Sequence, residues 1–304
     1  MTRKPILVGG VGRCGTTVLK EAIAASPNVH SWKGELRWLS DPDGLGPTYE
    51  TLMQAWTPFV ADLALKRFRA VLVDTLKMHF VAHFGFKSTR PLDRMIQRIS
   101  QHESMARYYG WRDMPTLETD PEVIEHELRG IITDFFDDLF DSTGIEEPFW
   151  IDDTPENVCF FDTFMRIWGG KNIACFHAMR HPLDIVASIK GRQARKDFSQ
   201  IWWWPQEPRL IARRIRYIFD RWSGWQGEPG RVVKLETLVE KPEMVMREVC
   251  DDIGIVYRPE MIQKISAEKA RVGRWKKELT PTEVRECKLA VAPVLKRFGY
   301  TTDA

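Results

Sequence analysis

The sequence predicts an α/β fold, and three stretches predict it. Ile6-Leu7-Val8 is a short apolar run that breaks at Gly9-Gly10 and resumes, past Gly12 and Gly15, as Thr16-Thr17-Val18-Leu19. That is the pattern of a strand, a glycine turn and a helix. Asn172-Ile173-Ala174-Cys175-Phe176-His177-Ala178-Met179 has the length and apolarity of a buried strand, and it runs into Arg180-His181-Pro182, where proline suits the first turn of a helix. Arg231-Val232-Val233-Lys234-Leu235 is a third strand, followed by a helix over 242–253. Strands that alternate with helices mark an α/β chain.

The first turn carries the most chemistry. Successive backbone N–H groups in such a turn point into one concavity, and the helix after it adds unpaired N–H groups and the positive end of its dipole. That geometry cradles a phosphate or a similar oxyanion. The spacing Gly10-x-x-x-x-Gly15-Thr16-Thr17 resembles a P-loop in which Thr16 replaces the lysine and the cation sits earlier, at Arg13. Such a loop grips phosphate but is poorly built for Mg-assisted transfer of a γ-phosphoryl group. A strand–turn–helix corner whose glycines serve packing alone does not account for the arginine and the threonine pair.

Helical spacing continues over 17–25. Residues 29–38 then read as an irregular piece rich in aromatic and charged side chains, at the carboxyl end of the first strand–helix unit, where ligands bind in α/β sheets. Glu35 is there either a general base or a solvated loop glutamate. A helix is expected around 49–68 and a short strand at 70–74, with Lys77 placed to face an anion. His79 and His83 share a helix face but lack a third ligand at metal spacing. Residues 85–148 read as a helical insertion, broken at Pro91, Pro115 and Pro121, that shapes one wall of a substrate site. Its acidic stretch, 134–141, is an amphipathic helix with a solvated face.

Phe149-Trp150-Ile151-Asp152 is a strand ending in Asp153-Thr154-Pro155, a turn that opens the next helix. Arg180 lies at the carboxyl end of the 172–179 strand and Ser188 two turns into the helix beyond. The two can clamp a second phosphate, the arginine with its planar fork of donors; alternatively Arg180 pairs with Asp184. Trp202-Trp203-Trp204-Pro205 suits a sugar face, an aromatic substrate, a lid or plain packing. A helix over 210–225 carries Arg213, Arg214, Arg216 and Arg221. Val272-Gly273-Arg274-Trp275-Lys276-Lys277 reads as a basic, aromatic loop or a solvated charge run, and a last helix starts at Pro281.

The chain has 304 residues, 43% hydrophobic and 28% charged, with 44 basic against 42 acidic side chains. That balance gives no global field to draw nucleic acid or an anionic membrane, so an anion site must be local. Five cysteines at wide spacing argue for reduced thiols. The N-terminus is too short in apolar residues for a signal peptide, and no run approaches the roughly 18 apolar residues of a membrane span. A cytoplasmic protein with no membrane partner is expected, folded as one domain over 1–304.

Taken together, the loop Gly12-Arg13-Cys14-Gly15-Thr16-Thr17, the unit Arg180-His181-Pro182-Leu183-Asp184-Ile185-Val186-Ala187-Ser188 and the loop Gly273-Arg274-Trp275-Lys276 resemble the three cofactor signatures of sulfotransferases that use PAPS, 3′-phosphoadenosine 5′-phosphosulfate. The resemblance implies a three-layer α/β/α, P-loop NTPase-like fold with a central parallel sheet. It implies that Gly12, Arg13, Cys14, Gly15, Thr16 and Thr17 hold the 5′-phosphosulfate, that Arg180 and Ser188 hold the 3′-phosphate, and that Arg274, Trp275 and Lys276 close over the nucleotide. The stretch 8–37 looks most like the protein-tyrosine sulfotransferase branch, in which a glutamate after a glycine acts as base; Gly34-Glu35 matches. The reaction implied is in-line transfer of a sulfonate to an acceptor hydroxyl with release of PAP, Glu35 and Arg13 being catalytic and no metal required. The sequence departs from the family where many relatives place lysine before Thr-Pro and this chain has Asp153. Arg13, Lys33 or Lys77 then substitutes, or Asp153 joins Lys33, Arg37 and Lys77 in binding the acceptor, a small-molecule, saccharide or phenolic hydroxyl. The rival readings are a P-loop kinase or nucleotidase and a non-catalytic PAP-binding protein.

Overall fold

A computed structural model describes residues 3–32, 34–54, 58–77, 89–108, 121–196, 204–221 and 230–301. Five strands form one parallel sheet: β1 (Lys4–Gly9), β2 (Val29–Ser31), β3 (Phe149–Asp152), β4 (Ala174–Met179) and β5 (Gly230–Lys234), in the order β2-β3-β1-β4-β5. Ile6 lies opposite Ile151, Leu7 opposite Asp152, and Ser31 opposite Ile151. All six residues of β4 and all but Lys4 of β1 are buried, as strands covered on both faces require. The helix-flanked parallel sheet is the P-loop-like α/β fold that the sequence predicts. β2 is a correction: three residues with His30 and Ser31 give too short a pattern to stand out, and pairing with β3 makes the strand.

The chain divides into two compact units, Met1–Leu7 with Pro27–Cys175, and Val8–Ser26 with Phe176–Ala304. Helices α1 (Thr16–Ile23), α2 (Leu45–Met53), α3 (Pro58–Val71), α4 (Arg90–Tyr108) and α5 (Pro121–Thr143) precede β3 in the chain; of these only α1 belongs to the second unit. The helix expected over 49–68 is therefore two helices. The strand expected at 70–74 does not form: α3 runs to Val71 and a π-helical turn follows over Leu72–Lys77. Its buried residues show why, because Ala61, Ala64, Leu65, Phe68 and Leu72 recur at helical and not alternating spacing.

The first unit is held by an aromatic stack. Trp150 on β3 lies on Phe136 of α5 (ring centroids 4.3 Å, 20° apart), Phe136 on Trp38 (5.9 Å), and Phe135 meets Trp38 edge-on (5.7 Å). The opposite face of α5 carries Asp134 and Asp138, paired with Arg98 and Arg94 of α4, the latter at 2.7 Å. Such exposed pairs contribute roughly 0.2–1 kcal/mol each, so the buried rings dominate. Pro91 and Pro121, expected to break helices, open them instead: a proline in the first turn lacks only an N–H that has no helical partner. Pro115 lies outside the described residues.

Helix α6 (Phe161–Trp168) follows β3 in the first unit; in the second, α7 (Pro182–Ala194) follows β4, α8 (Pro208–Arg221) follows it, and α9 (Leu235–Glu240) and α10 (Pro242–Ile253) follow β5. The short α11 (Ala267–Ala270) and α12 (Trp275–Glu278) lead to α13 (Pro281–Arg297), which packs along α8. α13 opens on a capping box: Thr280 Oγ1 accepts from Glu283 N–H at 3.3 Å and Glu283 Oε2 from Thr280 N–H at 2.8 Å. Of the tryptophan cluster only Trp204 is described. It is buried beside Gly12, with the Arg214 guanidinium 5.1 Å from its ring.

Candidate functional site

The glycine turn between β1 and α1 is shaped by close approach and by left-handed backbone. A Cβ at Gly10 would stand 2.3 Å from Ala178 O and 2.5 Å from Cys14 Sγ, so only glycine lets the turn leave β1 here. Gly15 caps α1 at φ 105°, and Arg13 holds φ 75°, which is uncommon for a residue with a side chain. The Cys14 N–H donates to Val11 O at 3.0 Å and closes the turn. Its thiol is buried and pushed up to about 12 by that burial, so Cys14 offers the turn backbone and not a nucleophile. Thr16 is buried and Thr17 exposed.

Around this turn the second unit gathers arginines. Burial, and then the charges of Arg192, Arg180 and Arg274, lower the Arg13 guanidinium to about 10. Arg180, at the end of β4, is buried; its Nη1 lies 3.5 Å from Arg13 O, and its Nη2 donates to Ala270 O at 2.7 Å and Arg271 O at 3.0 Å. Its Nε is buried with no hydrogen bond, 3.8 Å from Asp184 Oδ2. The sequence left two roles open for Arg180, and the pairing with Asp184 is present, though too long for a hydrogen bond.

Asp184 is the residue that organises this end of the unit. It is fully buried and accepts from Gly273 N–H at 2.7 Å and Trp275 N–H at 3.0 Å. One side chain thus ties the late basic loop to the first turn of α7. That loop is a helical turn and not an exposed charge run: Trp275 is buried and stacks on His181 (5.4 Å, 14°). Arg274 pairs with Glu278 at 2.7 Å, and a Cβ at Gly191 would come within 2.9 Å of its Nη2, so Gly191 makes room for the guanidinium. Lys276 is exposed. Ser188 is buried on α7, and Arg192 follows four residues on, the spacing that puts both on one helix face. One buried and three half-buried guanidinium groups that repel one another, beside a glycine turn at the start of a helix, form a donor set that fits an anion with more than one phosphate.

The first unit holds the carboxylates. Asp152, at the end of β3, is fully buried and accepts from Leu36 N–H at 2.6 Å, Asn157 Nδ2 at 2.7 Å and Thr154 N–H at 3.2 Å. It fixes the chain immediately after Glu35. The Glu35 carboxyl is pushed up to about 7, first by burial and then by Asp153, with Arg37 opposing and Asp152 and Glu156 adding to the rise. Arg37 Nη1 lies 3.3 Å from Glu35 Oε2, and its Nε donates to Asp41 Oδ2 at 2.8 Å. Asp153 is buried. Lys33 lies outside the described residues, and Lys77 ends the π-helical turn with its side chain outside them.

The sequence did not single out Arg192 or Asp152, and it offered Asp184 only as a partner for Arg180. The signals were spacing alone: four residues after Arg180, four after Ser188, and the end of a strand. Among the described residues no three His, Cys, Asp or Glu side chains are grouped to hold a metal ion, and no helix is long and apolar enough to cross a membrane. His79 and His83 lie outside them.

The sequence model of the sulfotransferase family matches residues 5–259. No curated protein sequence matches the chain. Among solved structures, the sulfotransferase domain from the curacin biosynthetic pathway aligns with a TM-score of 0.49 at 13% identity, over 97% of this chain and 98% of that one. Sulfotransferase STF9 from Mycobacterium avium aligns at 0.48 and 14%, over 99% and 78%. A sulfotransferase from Alicyclobacillus acidocaldarius aligns at 0.45 and 14%, over 100% and 98%.

Proposed function

The chain belongs to the sulfotransferase family, and from that premise we propose that it moves a sulfonate group from PAPS to an acceptor hydroxyl. What carries this reading is the meeting, in one unit, of the glycine turn, Arg180 and the Gly273–Trp275 loop through Arg13 and Asp184. When bound, PAPS supplies a sulfonate activated by its bond to a phosphate. The turn's N–H groups and Arg13 hold the 5′ end, with Gly12, Cys14 and Gly15 contributing backbone and Thr16 and Thr17 the helix start. Arg180 and Ser188 hold the 3′-phosphate, and Arg274, Trp275 and Lys276 cover the nucleotide. Each well-placed donor that meets charge building on the departing phosphate contributes roughly 3–4 kcal/mol. These cations do that work without a metal ion.

Glu35 takes the proton of the acceptor hydroxyl. A carboxyl near 7 is about half ionised at neutral pH and basic enough to accept a proton, the compromise that general bases need. Asp153, where relatives carry lysine, serves this by raising Glu35 instead of neutralising sulfonate. Arg37 orients the Glu35 carboxylate, and the acceptor is a small-molecule, saccharide or phenolic hydroxyl. The working compartment is the cytoplasm.

Calorimetric titration with PAP and with ATP–Mg, followed by transfer assays with labelled PAPS over a panel of hydroxyl acceptors, tests the proposal. It predicts PAP binding in preference to ATP–Mg and transfer to at least one acceptor. Preference for ATP–Mg points to a kinase or nucleotidase. PAP binding with no transfer to any acceptor points to a non-catalytic PAP-binding protein, the reading that Asp153 in place of lysine favours.

A further inference from the structure

A groove of about 910 Å³ lies along α12 and α13, in the second unit. Trp275, Leu279 and Leu289 give it an apolar floor, and Leu289 is 76% exposed. Lys276, Arg285, Lys288 and Lys296 stand round that floor, and among the described residues lining the groove there is no carboxylate. The Lys276 and Lys288 ammonium groups lie 5.7 Å and 5.8 Å from the Trp275 ring, so charge and apolar surface are interleaved within a few ångströms.

The α13 sequence produces this arrangement by having two faces. Cys287, Val291 and Val294 are buried in the unit. Val284, Lys288, Ala292 and Lys296 form one i, i+4 row along the groove, Arg285 and Leu289 form the next, and Leu295 stands three residues past Ala292. An ordinary outward helix face mixes both signs of charge and carries few large apolar groups. The groove lining is apolar with cations of a single sign, while Glu286 stands exposed outside it. Its concavity has the size of pockets that take one small molecule, about 300–1,000 Å³.

We propose that the groove binds a soluble amphipathic anion: an aryl or alkyl body carrying a sulfate, sulfonate or carboxylate. The body lies against Leu289 and Leu279, and the anionic group meets Arg285 and Lys288. Lysine and arginine stems extend the apolar floor while their charged ends reach the ligand's head. Trp275 and Lys276 line this groove and also stand over the nucleotide in the proposed reaction, but Arg285, Lys288 and Leu289 have no part in that reaction, so variants there test the groove by itself.

The test titrates full-length protein with 1-naphthyl sulfate and with uncharged 1-naphthol, in the wild type, in Leu289→Glu and in the double variant Arg285→Glu/Lys288→Glu. The expected result is saturable binding of the sulfate, weakened at least tenfold in both variants and weakened by added salt, with 1-naphthol binding at least tenfold less tightly. Melting curves and PAP titrations of the variants should match the wild type, which separates loss of the groove from loss of fold or of the nucleotide site. Unchanged sulfate affinity in the variants overturns the proposal, as does equal affinity for 1-naphthol. Self-association that disappears in Leu289→Glu, seen by sedimentation, overturns it in favour of a second copy. Capture by vesicles of anionic lipid that the variants abolish overturns it in favour of a membrane surface.

Discussion

Glu35 and Arg13 are two side chains whose surroundings shift their proton affinities, and each shift has a measurable consequence. In the proposed reaction Glu35 serves as base only when ionised, so kcat/KM should rise with pH through about 7 and then level off. Glu35→Gln should cut turnover by about 10²-fold or more, abolish that rise, and leave PAP affinity within twofold; a pH–rate series with PAP titrations checks all three. Stability follows the same shift. The folded protein keeps the Glu35 proton up to about 7, while the unfolded chain releases it near 4.5, so this contribution falls as pH rises through that window. Arg13 is crowded by Arg192, Arg180 and Arg274 and held at a left-handed φ. Arg13→Asn, a residue that tolerates that backbone, should leave the melting temperature of ligand-free protein unchanged or higher while weakening PAP at least tenfold. A clear fall in melting temperature would mean that the guanidinium holds the turn together.

Elements here are positioned by single buried acceptors. Asp184 satisfies the backbone N–H groups of Gly273 and Trp275, which without it are stranded at roughly 1–3 kcal/mol each. Asp184→Ala should therefore lower the free energy of unfolding by about 2–6 kcal/mol and speed hydrogen exchange over 270–278. Both are read by denaturant titration and exchange mass spectrometry. Gly10 works by close approach. A methyl group there meets a backbone oxygen at 2.3 Å, and a backbone carbonyl cannot swing aside as a side chain can. Gly10→Ala should displace the turn and abolish PAP binding, measured by titration of whatever folded protein is recovered.

At the scale of the whole molecule, charge is local. The formal net charge is only +2, so the proposed attraction for a nucleotide rests on the arginine cluster and not on a global field. PAP held at 100 times its Kd should stabilise the protein by about 2.7 kcal/mol, seen as a raised melting temperature. Salt should weaken the exposed part of that attraction more than the buried part. No shift in melting temperature at saturating PAP would overturn the nucleotide site.

Local pattern carried part of the structure. Ile6-Leu7-Val8 and 172–179 were legible as strands because they are buried on both faces and need no alternation to be seen. The glycine turn was legible because its backbone demands glycine, and Arg180 and Ser188 because strand end and helix start fix their places. What sequence could not show was anything settled by partners far along the chain. β2 exists because β3 pairs with it, and 70–74 is helical because Phe68 and Leu72 face one core. Asp184 reads as an ordinary first-turn carboxylate until Gly273 and Trp275, about ninety residues later, donate to it. Sequence by itself determined the sheet's central strands, the glycine turn after the first of them, and the family. Only the tertiary structure decided which carboxylates are buried acceptors and which arginines crowd together, because burial and mutual repulsion depend on distances in space that separation along the chain does not set.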